Sequence, residues 1–227
     1  NNDALHSGFA EYIILRKGTC IFKIPKKISP HEAAPLNCGI ATAIASIRIA
    51  EPKIDASFAI LGCGLLGLYT IAILNSRGVK KITAIDVNED RLEMARELVD
   101  SGSYEFTLNS ENKFDYIFEM SGSQSAMGFA TKALDIGGTL ILAGATYPQP
   151  NLDITGEFIV RNILSIKGIH NYHPYDLSQA IRFLKENRDT YPLRRLVEQT
   201  YPLYKINEAF EYAFKYQPIR IAIKPHA

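Results

Sequence analysis

Residues 57–76 read SFAILGCGLLGLYTIAILNS, and the acid that answers them closes residues 81–86, KITAID. The first stretch holds twenty residues without a charge, and on length alone it could span a bilayer. Three glycines divide it: Gly62, Gly64 and Gly67. Before them, 58–61 is a compact apolar run. After them, Leu65, Leu66, Leu68, Ile71, Ala72 and Leu74 give a helix with a wide apolar face, closed by Arg77-Gly78. Strand, glycine turn and buried helix explain the stretch better than a membrane span. Residues 81–86 form the next strand.

The same rhythm continues for over a hundred residues. Asn88 is a predicted N-cap for a helix from Glu89, with Leu92, Ala95 and Leu98 at helical spacing. Residues 104–108 suit a short third strand, 114–120 (FDYIFEM) a fourth, and 123–135 a helix. Gly137-Gly138 then leads into TLILA at 139–143. Nearly continuous apolar strands alternating with helices predict an α/β fold: a doubly wound parallel sheet, a Rossmann domain, over residues 40–170.

The flanks read differently. Residues 1–39 suggest β structure and loops, with YIIL at 12–15 and CIFKI at 20–24 as extended runs. Beyond Pro148-Gln149-Pro150, residues 164–169 suit a strand and 176–186 a helix. In the last segment, 171–227, Asn207 is a predicted cap, with Ala209, Phe210, Ala213 and Phe214 on the inner face of its helix. Alternating isoleucines at 219–223 close the chain as a strand buried on one face.

Charge and cysteine usage narrow the partners. Among 227 residues, 25 Lys+Arg stand against 24 Asp+Glu, so a nucleic acid is not expected as main partner. Cys20, Cys38 and Cys63 are odd in number and widely spaced. They form neither a disulfide framework nor a CxxC pair, and a reducing, cytoplasmic setting follows. The opening NNDALHSGFAEY has no basic region leading into an apolar one, so no secretory signal is expected, and no membrane partner.

Gly62-Cys63-Gly64-Leu65-Leu66-Gly67 is a GxGxxG between a strand and a helix, the context a dinucleotide fingerprint requires. Gly62 permits the tight turn, Gly64 lets backbone approach a pyrophosphate, and Gly67 allows close helix–sheet packing. Asp86 follows Gly67 by nineteen residues, where its carboxylate can accept hydrogen bonds from ribose hydroxyls. A 2′-phosphate there would meet like charge, so NAD is expected over NADP, although Arg91 nearby offsets part of that repulsion. Ser121-Gly122-Ser123 and Ala143-Gly144-Ala145 place further small residues at strand C-terminal ends, where open α/β sheets bind ligands.

With these residues in view, the sequence resembles the zinc-dependent medium-chain alcohol dehydrogenases. Gly8-Phe9-Ala10-Glu11-Tyr12, Pro25, Glu32-Ala33-Ala34, Cys38-Gly39 and Thr42 precede a GxGxxG that begins twenty-four residues after Cys38. Asp86, Gly137-Gly138, Lys167-Gly168, Ile206-Asn207-Glu208-Ala209-Phe210 and Arg220 complete the pattern across nearly the whole chain. The resemblance implies that Cys38 is one ligand of a catalytic zinc and that Thr42 lies against the nicotinamide. It implies that Asp86 and Arg91 hold the adenosine ribose, that Arg220 reaches the pyrophosphate within the last strand, and that Ala143 and Ile169 offer backbone contacts near the carboxamide. His170 falls near that pocket as a loop residue.

The family's other zinc ligands, a Cys and a His-Glu pair, match nothing here. The resemblance therefore implies an alcohol or polyol dehydrogenase present as a fragment that binds NAD without turnover, its substrate a small alcohol or carbonyl compound. It also implies a homodimer or homotetramer built through the sheet edge at 162–168. Two other readings stay open: a stand-alone non-catalytic dinucleotide-binding module, and a zinc-free NADPH-dependent reductase of the same superfamily. Cys38 and Asp86 both speak against the latter.

Overall fold

The computed structural model describes residues 8–99, 102–105, 111–148 and 151–226. The chain divides into two compact units, Pro35–Tyr191 and a smaller one joining Asn1–Ala34 to Pro192–Ala227. In chain order, α1 (Pro30–Ala33) belongs to the smaller unit. The larger unit opens with a π-helical turn, Leu36–Ala41, that runs into α2 (Thr42–Ala50). Then come β1 (Ser57–Leu61), α3 (Leu65–Ser76), β2 (Lys81–Ile85), α4 (Glu89–Arg96) and β3 (Ser103–Glu105). The second half holds β4 (Phe114–Glu119), α5 (Gln124–Ala133), β5 (Leu134–Leu142), α6 (Gly156–Arg161), β6 (Ser165–Gly168) and α7 (Pro174–Asn187).

Among the described residues, the six strands of the larger unit lie parallel in the order β3-β2-β1-β4-β5-β6. That is the doubly wound order, with its switch point between β1 and β4. The period of two along each strand decides which residues serve which face. Ala59 and Leu61 of β1 join Ile117 of β4, Leu140 of β5 and Ala126, Phe129, Ala130 and Ala133 of α5 in one buried cluster. Phe58 stacks on Tyr116 and Phe118 at centroid distances of 5.1 and 6.4 Å. The helix α3 buries Leu68, Tyr69, Ile71, Ala72, Ile73 and Leu74 with no polar face between them, the pattern of a helix enclosed in a core.

The charge-free stretch is therefore a strand, a turn and a core helix. Pro30–Ala50 is also long and apolar enough to cross a membrane, yet most of it is buried inside the protein, with Ile40, Ala41, Ala43, Ala45 and Ile47 fully enclosed.

Several sequence expectations need correction. The larger unit ends at Tyr191 rather than 170, because α7 packs on α2 and on the π-helical turn. Its start at Pro35 takes in the turn that carries Cys38. β5 begins at Leu134, before Gly137-Gly138; the glycines sit in a bulge where pairing jumps from Phe114↔Leu134 to Tyr116↔Thr139. The third strand is observed at Ser103–Glu105; residues 106–108 lie outside the described residues.

In the smaller unit, neither 12–15 nor 20–24 forms a strand. Tyr12, Ile13, Ile14, Leu15 and Ile21 are exposed. Its two-stranded parallel sheet pairs β7 (Gln199–Pro202) with β8 (Ile221–Lys224), so Arg220 precedes the last strand instead of lying in it. α8 (Ile206–Tyr216) starts one residue before Asn207, which cannot cap it. Ala209 is buried, but Phe210 and Phe214, expected beside it on the inner face, are 46% and 80% exposed. Glu32 of α1 is buried, and Arg194 donates to its Oε1 at 2.7 Å. Burial works to raise the Glu32 pKa, but hydrogen bonds from Ser29 and Arg194 outweigh it and hold the carboxyl below its ordinary value.

Candidate functional site

Five turns of the larger unit follow the C-terminal ends of β1, β2, β4, β5 and β6, and backbone hydrogen bonds carry the parallel ladder past the strands themselves. Gly62 N–H donates to the Ile85 carbonyl (2.8 Å) and Met120 N–H to that of Leu61 (2.8 Å). Ala143 and Gly144 N–H both donate to the Glu119 carbonyl, at 3.0 and 2.9 Å, and Ile169 N–H to that of Leu142 (3.0 Å). The fold thus brings Gly62, Gly64, Leu65, Leu66, Gly67, Asp86, Ser121, Gly122, Ala143, Gly144 and Ile169 to one end of one sheet, spanning the switch point.

The glycines fall into two kinds. A Cβ on Gly67 would stand 1.9 Å from the Gly62 carbonyl oxygen, so helix and turn touch backbone to backbone. Gly62, at φ +97°, lies against Ser121, and Gly122, at φ +70°, against Gly144. Gly64 differs: a Cβ there would meet nothing within 4 Å. The protein itself has no need of the missing side chain at Gly64, which leaves open backbone beside the start of α3. The first bond of that helix runs from Leu68 N–H to the Gly64 carbonyl (2.9 Å), and no side chain caps the N–H groups before it. Uncapped donors at the positive end of a helix dipole suit an anion.

Asp86 is fixed from both sides. Its Oδ2 accepts from Cys63 N–H at 2.6 Å and its Oδ1 from Asn88 N–H at 2.9 Å. A carboxylate offers about four acceptor sites, so roughly half remain for hydroxyl groups. Asn88 Oδ1 in turn accepts from Arg91 N–H (3.2 Å) and caps α4, as its position in the sequence suggested. Cys63, between these glycines, is fully buried; burial and the Asp86 charge push its thiol far up, against a smaller opposing pull from Arg91, and it stays an unreactive packing residue. The N–H groups of Ala143 and Ile169 are spent on the ladder, so what either can offer a ligand is its carbonyl oxygen.

Cys38 is exposed on the π-helical turn, and Thr42 follows it as the first residue of α2. Tyr172 stands close enough to Cys38 for the thiol to add to burial in raising its phenol pKa. His170 and Asn171 are exposed, their side chains 3.3 Å apart. Arg220 belongs to the smaller unit, where its carbonyl accepts from Glu198 N–H at 2.9 Å.

Comparison with known proteins fits this geometry. A sequence profile described as zinc-binding dehydrogenase matches residues 66–186, more than half of the chain. The chain belongs to the zinc-binding dehydrogenase family. Alcohol dehydrogenase 1 of Pisum sativum is 30% identical over 240 residues, covering 96% of this chain and 60% of the relative. L-threonine 3-dehydrogenase of Bacillus velezensis is 25% identical over 230 residues, covering 96% and 64%. Among solved structures, an alcohol dehydrogenase from Thermotoga maritima superposes with a TM-score of 0.80 at 22% identity, over 90% of this chain and 60% of that one. The 2R,3R-butanediol dehydrogenase of Bacillus subtilis gives 0.77 at 24% identity, over 90% and 60%. The chain thus spans about 60% of the length of the relatives it matches.

For a chain of this family, the residues present fit the two expected cofactors unequally. The open backbone at Gly64, the uncapped helix start and the fixed Asp86 suit a dinucleotide. Zinc is another matter: catalytic zinc takes three protein ligands. Among the described residues no group of three or more His, Cys, Asp or Glu side chains could hold a metal ion, and Cys38 alone does not make a zinc site.

The sequence reading missed one residue of this region. Glu119 ends β4, wholly buried, with its side chain turned onto Ser121 and Gly122. A carboxylate at the end of an apolar strand, followed directly by Met-Ser-Gly, was the available signal.

Proposed function

We propose that the chain is the cofactor-binding portion of an NAD-dependent, zinc-dependent alcohol or polyol dehydrogenase, and that on its own it binds NAD(H) without oxidising alcohols. The observation that carries the proposal is Gly64: open backbone beside uncapped helix N–H groups, with Asp86 held at the end of the neighbouring strand. NAD, when bound, supplies the hydride acceptor. The chain's own residues orient it. The amides at the start of α3 take the pyrophosphate, the free acceptor sites of Asp86 with nearby Arg91 take the adenosine ribose, and Ala143 and Ile169 present carbonyl oxygens to the carboxamide end. Thr42 packs against the ring. Cys38 contributes one thiolate to a zinc site whose other ligands come from outside the described residues, and the substrate is a small alcohol or carbonyl compound.

Self-association through the β6 edge belongs to the same proposal. Ile136, Val160 and Ile163 are 70%, 76% and 71% exposed around that edge, an apolar surface suited to sheet continuation in a homodimer or homotetramer. A cytoplasmic, reducing setting suits the free thiols of Cys20 and Cys38.

Fluorescence titration with NADH and NADPH tests the cofactor. The wild-type chain is expected to prefer NADH, and tighter NADPH binding would sink the assignment. Asp86→Ser removes the like charge facing a 2′-phosphate along with a ribose acceptor. It should weaken NADH by about tenfold, or 1.4 kcal/mol, and narrow the gap to NADPH. The substitution also frees the Cys63 and Asn88 N–H groups at a cost of about 1–3 kcal/mol, so the titration belongs well below the melting temperature.

A further inference from the structure

Three turns meet at the switch point, and one side chain ties the middle turn down. Glu119 is 0% exposed. Its Oε1 accepts three hydrogen bonds: from Ser121 N–H at 2.8 Å, from the Ser121 hydroxyl at 2.6 Å and from Gly122 N–H at 2.8 Å. Its Oε2 accepts none, alone in this among the buried side-chain nitrogens and oxygens of the described residues. An enclosed carboxylate oxygen without a partner is costly. Three charge-assisted bonds converging on the other oxygen are what the residue provides in return.

What those bonds hold is specific. Gly62 lies so close to Ser121 that a Cβ on the glycine would meet the Ser121 side chain at 2.8 Å and its backbone nitrogen at 2.9 Å. On the other side, a Cβ on Gly122 would stand 2.5 Å from the Gly144 carbonyl oxygen. The turn after β4 is thus wedged between the glycine turn after β1 and the small-residue turn after β5. The backbone carbonyl of Glu119 fixes that last turn through Ala143 and Gly144 N–H. One residue, by main chain and side chain together, sets the relative height of all three.

We infer that Glu119 is a positioning residue of the dinucleotide site: by drawing Ser121 and Gly122 down onto the end of β4, it keeps the glycine turn after β1 in the shape that receives a pyrophosphate. The inference rests on the dinucleotide reading of that turn. It assigns Glu119 no contact with the ligand, since the side chain is enclosed. The chemistry required at this position is acceptance of three hydrogen bonds at one oxygen, which a carboxamide can also supply.

Amide hydrogen exchange and NADH titration on the full chain separate the two halves of the claim. Glu119→Gln should keep slow exchange at Ser121 and Gly122 and hold NADH affinity within about threefold of wild type, because the carboxamide oxygen accepts the same donors. Glu119→Ala should speed exchange at those two amides by at least about tenfold and weaken NADH by a similar factor, while Ile117 and Leu140 in the core strands stay protected. If the alanine variant does not fold, Ser121→Ala removes only the hydroxyl donor. Faster Gly122 exchange with about threefold weaker NADH then supports the anchor, and unchanged exchange overturns it. An alanine variant that is folded, protected and tight-binding overturns the inference, and so does a glutamine variant as impaired as the alanine one. A wild-type chain that binds no NADH overturns the dinucleotide reading and the positioning role with it, and the exchange contrast still decides whether Glu119 anchors the turn.

Discussion

Gly67→Ala is expected to unfold the larger unit at temperatures where wild type is intact, whereas Gly64→Ala leaves it folded and unable to hold a dinucleotide. Two substitutions three residues apart, chemically identical, separate because of what the new methyl meets. On Gly67 the Cβ would stand 1.9 Å from the Gly62 carbonyl oxygen, with Ile60 at 3.4 Å behind it. Both partners are backbone or core, and neither can swing aside. Overpacking a core costs about 1–3 kcal/mol where side chains can adjust. Here the helix itself must move, and a loss of about 3 kcal/mol or more is expected, lowering the melting temperature by roughly 10 °C for a chain of this size. On Gly64 the methyl meets nothing, and the backbone, at φ −74°, is ordinary for alanine. The N-cap change costs about 1 kcal/mol or less. The same methyl occupies the space over which a pyrophosphate would pass, so NADH affinity should fall by at least about tenfold. Calorimetry and fluorescence titration read the two effects. A Gly64→Ala chain that binds NADH normally would place the pyrophosphate elsewhere and remove the main support for the site.

The contrast between those glycines shows how far a linear pattern reaches. GxGxxG with a downstream acid is legible because strand, turn and helix lie within thirty residues and each announces itself by its own period. The sequence cannot say that the protein itself demands Gly67 and makes no such demand at Gly64, because that depends on where the Gly62 carbonyl points. Glu119 was missed for a related reason. In FDYIFEM it reads as one polar residue ending an apolar strand, and only the folded turn reveals three donors aimed at one of its oxygens. The N-terminal runs YIIL and CIFKI misled in the opposite direction. A strand is made by its hydrogen-bonded neighbour, and apolar composition does not supply one. The pairing of β7 with β8 was overlooked on the same ground, since four residues ending in proline carry almost no strand signal until Ile221–Lys224 lies beside them.

Long-range ion pairs are the least legible of all, and one of them should carry the second large effect. Arg48 of α2 and Asp176 of α7 are 128 residues apart, yet Arg48 Nε donates to Asp176 Oδ1 at 2.7 Å and Nη2 to Oδ2 at 2.9 Å. Oδ2 also accepts from His173 N–H (2.9 Å), closing the capping box of α7 just after the loop that carries Tyr172. The Asp176 side chain is 0% exposed and that of Arg48 is 45% exposed, so the partner that suffers from separation is the carboxylate. Burial alone would raise the Asp176 pKa, but the Arg48 hydrogen bonds and charge, with the His173 N–H, prevail and lower it.

Replacing Arg48 by methionine keeps the aliphatic contacts and strands the charge. The expected loss at pH 7 is about 3 kcal/mol, the low end for a buried pair because Arg48 is partly solvated, and the melting temperature should drop by roughly 10 °C. The sign with pH follows from the folded-state pKa. In wild type it lies below the ordinary 3.8, so the pair's contribution is present above that value and is lost as pH falls through the lower, folded one. In Arg48→Met burial has no opponent of comparable strength and the folded pKa rises above the unfolded one. Protonation then relieves the penalty, and the gap to wild type should shrink as pH falls toward 4. Adding Asp176→Asn to the methionine variant removes the stranded charge while leaving an oxygen for His173 N–H, and should recover most of the loss at neutral pH. Melting curves of wild type and the two variants from pH 7 to pH 4 decide the matter: a methionine variant as stable as wild type, or a deficit that ignores pH, would show that Arg48 contributes packing alone.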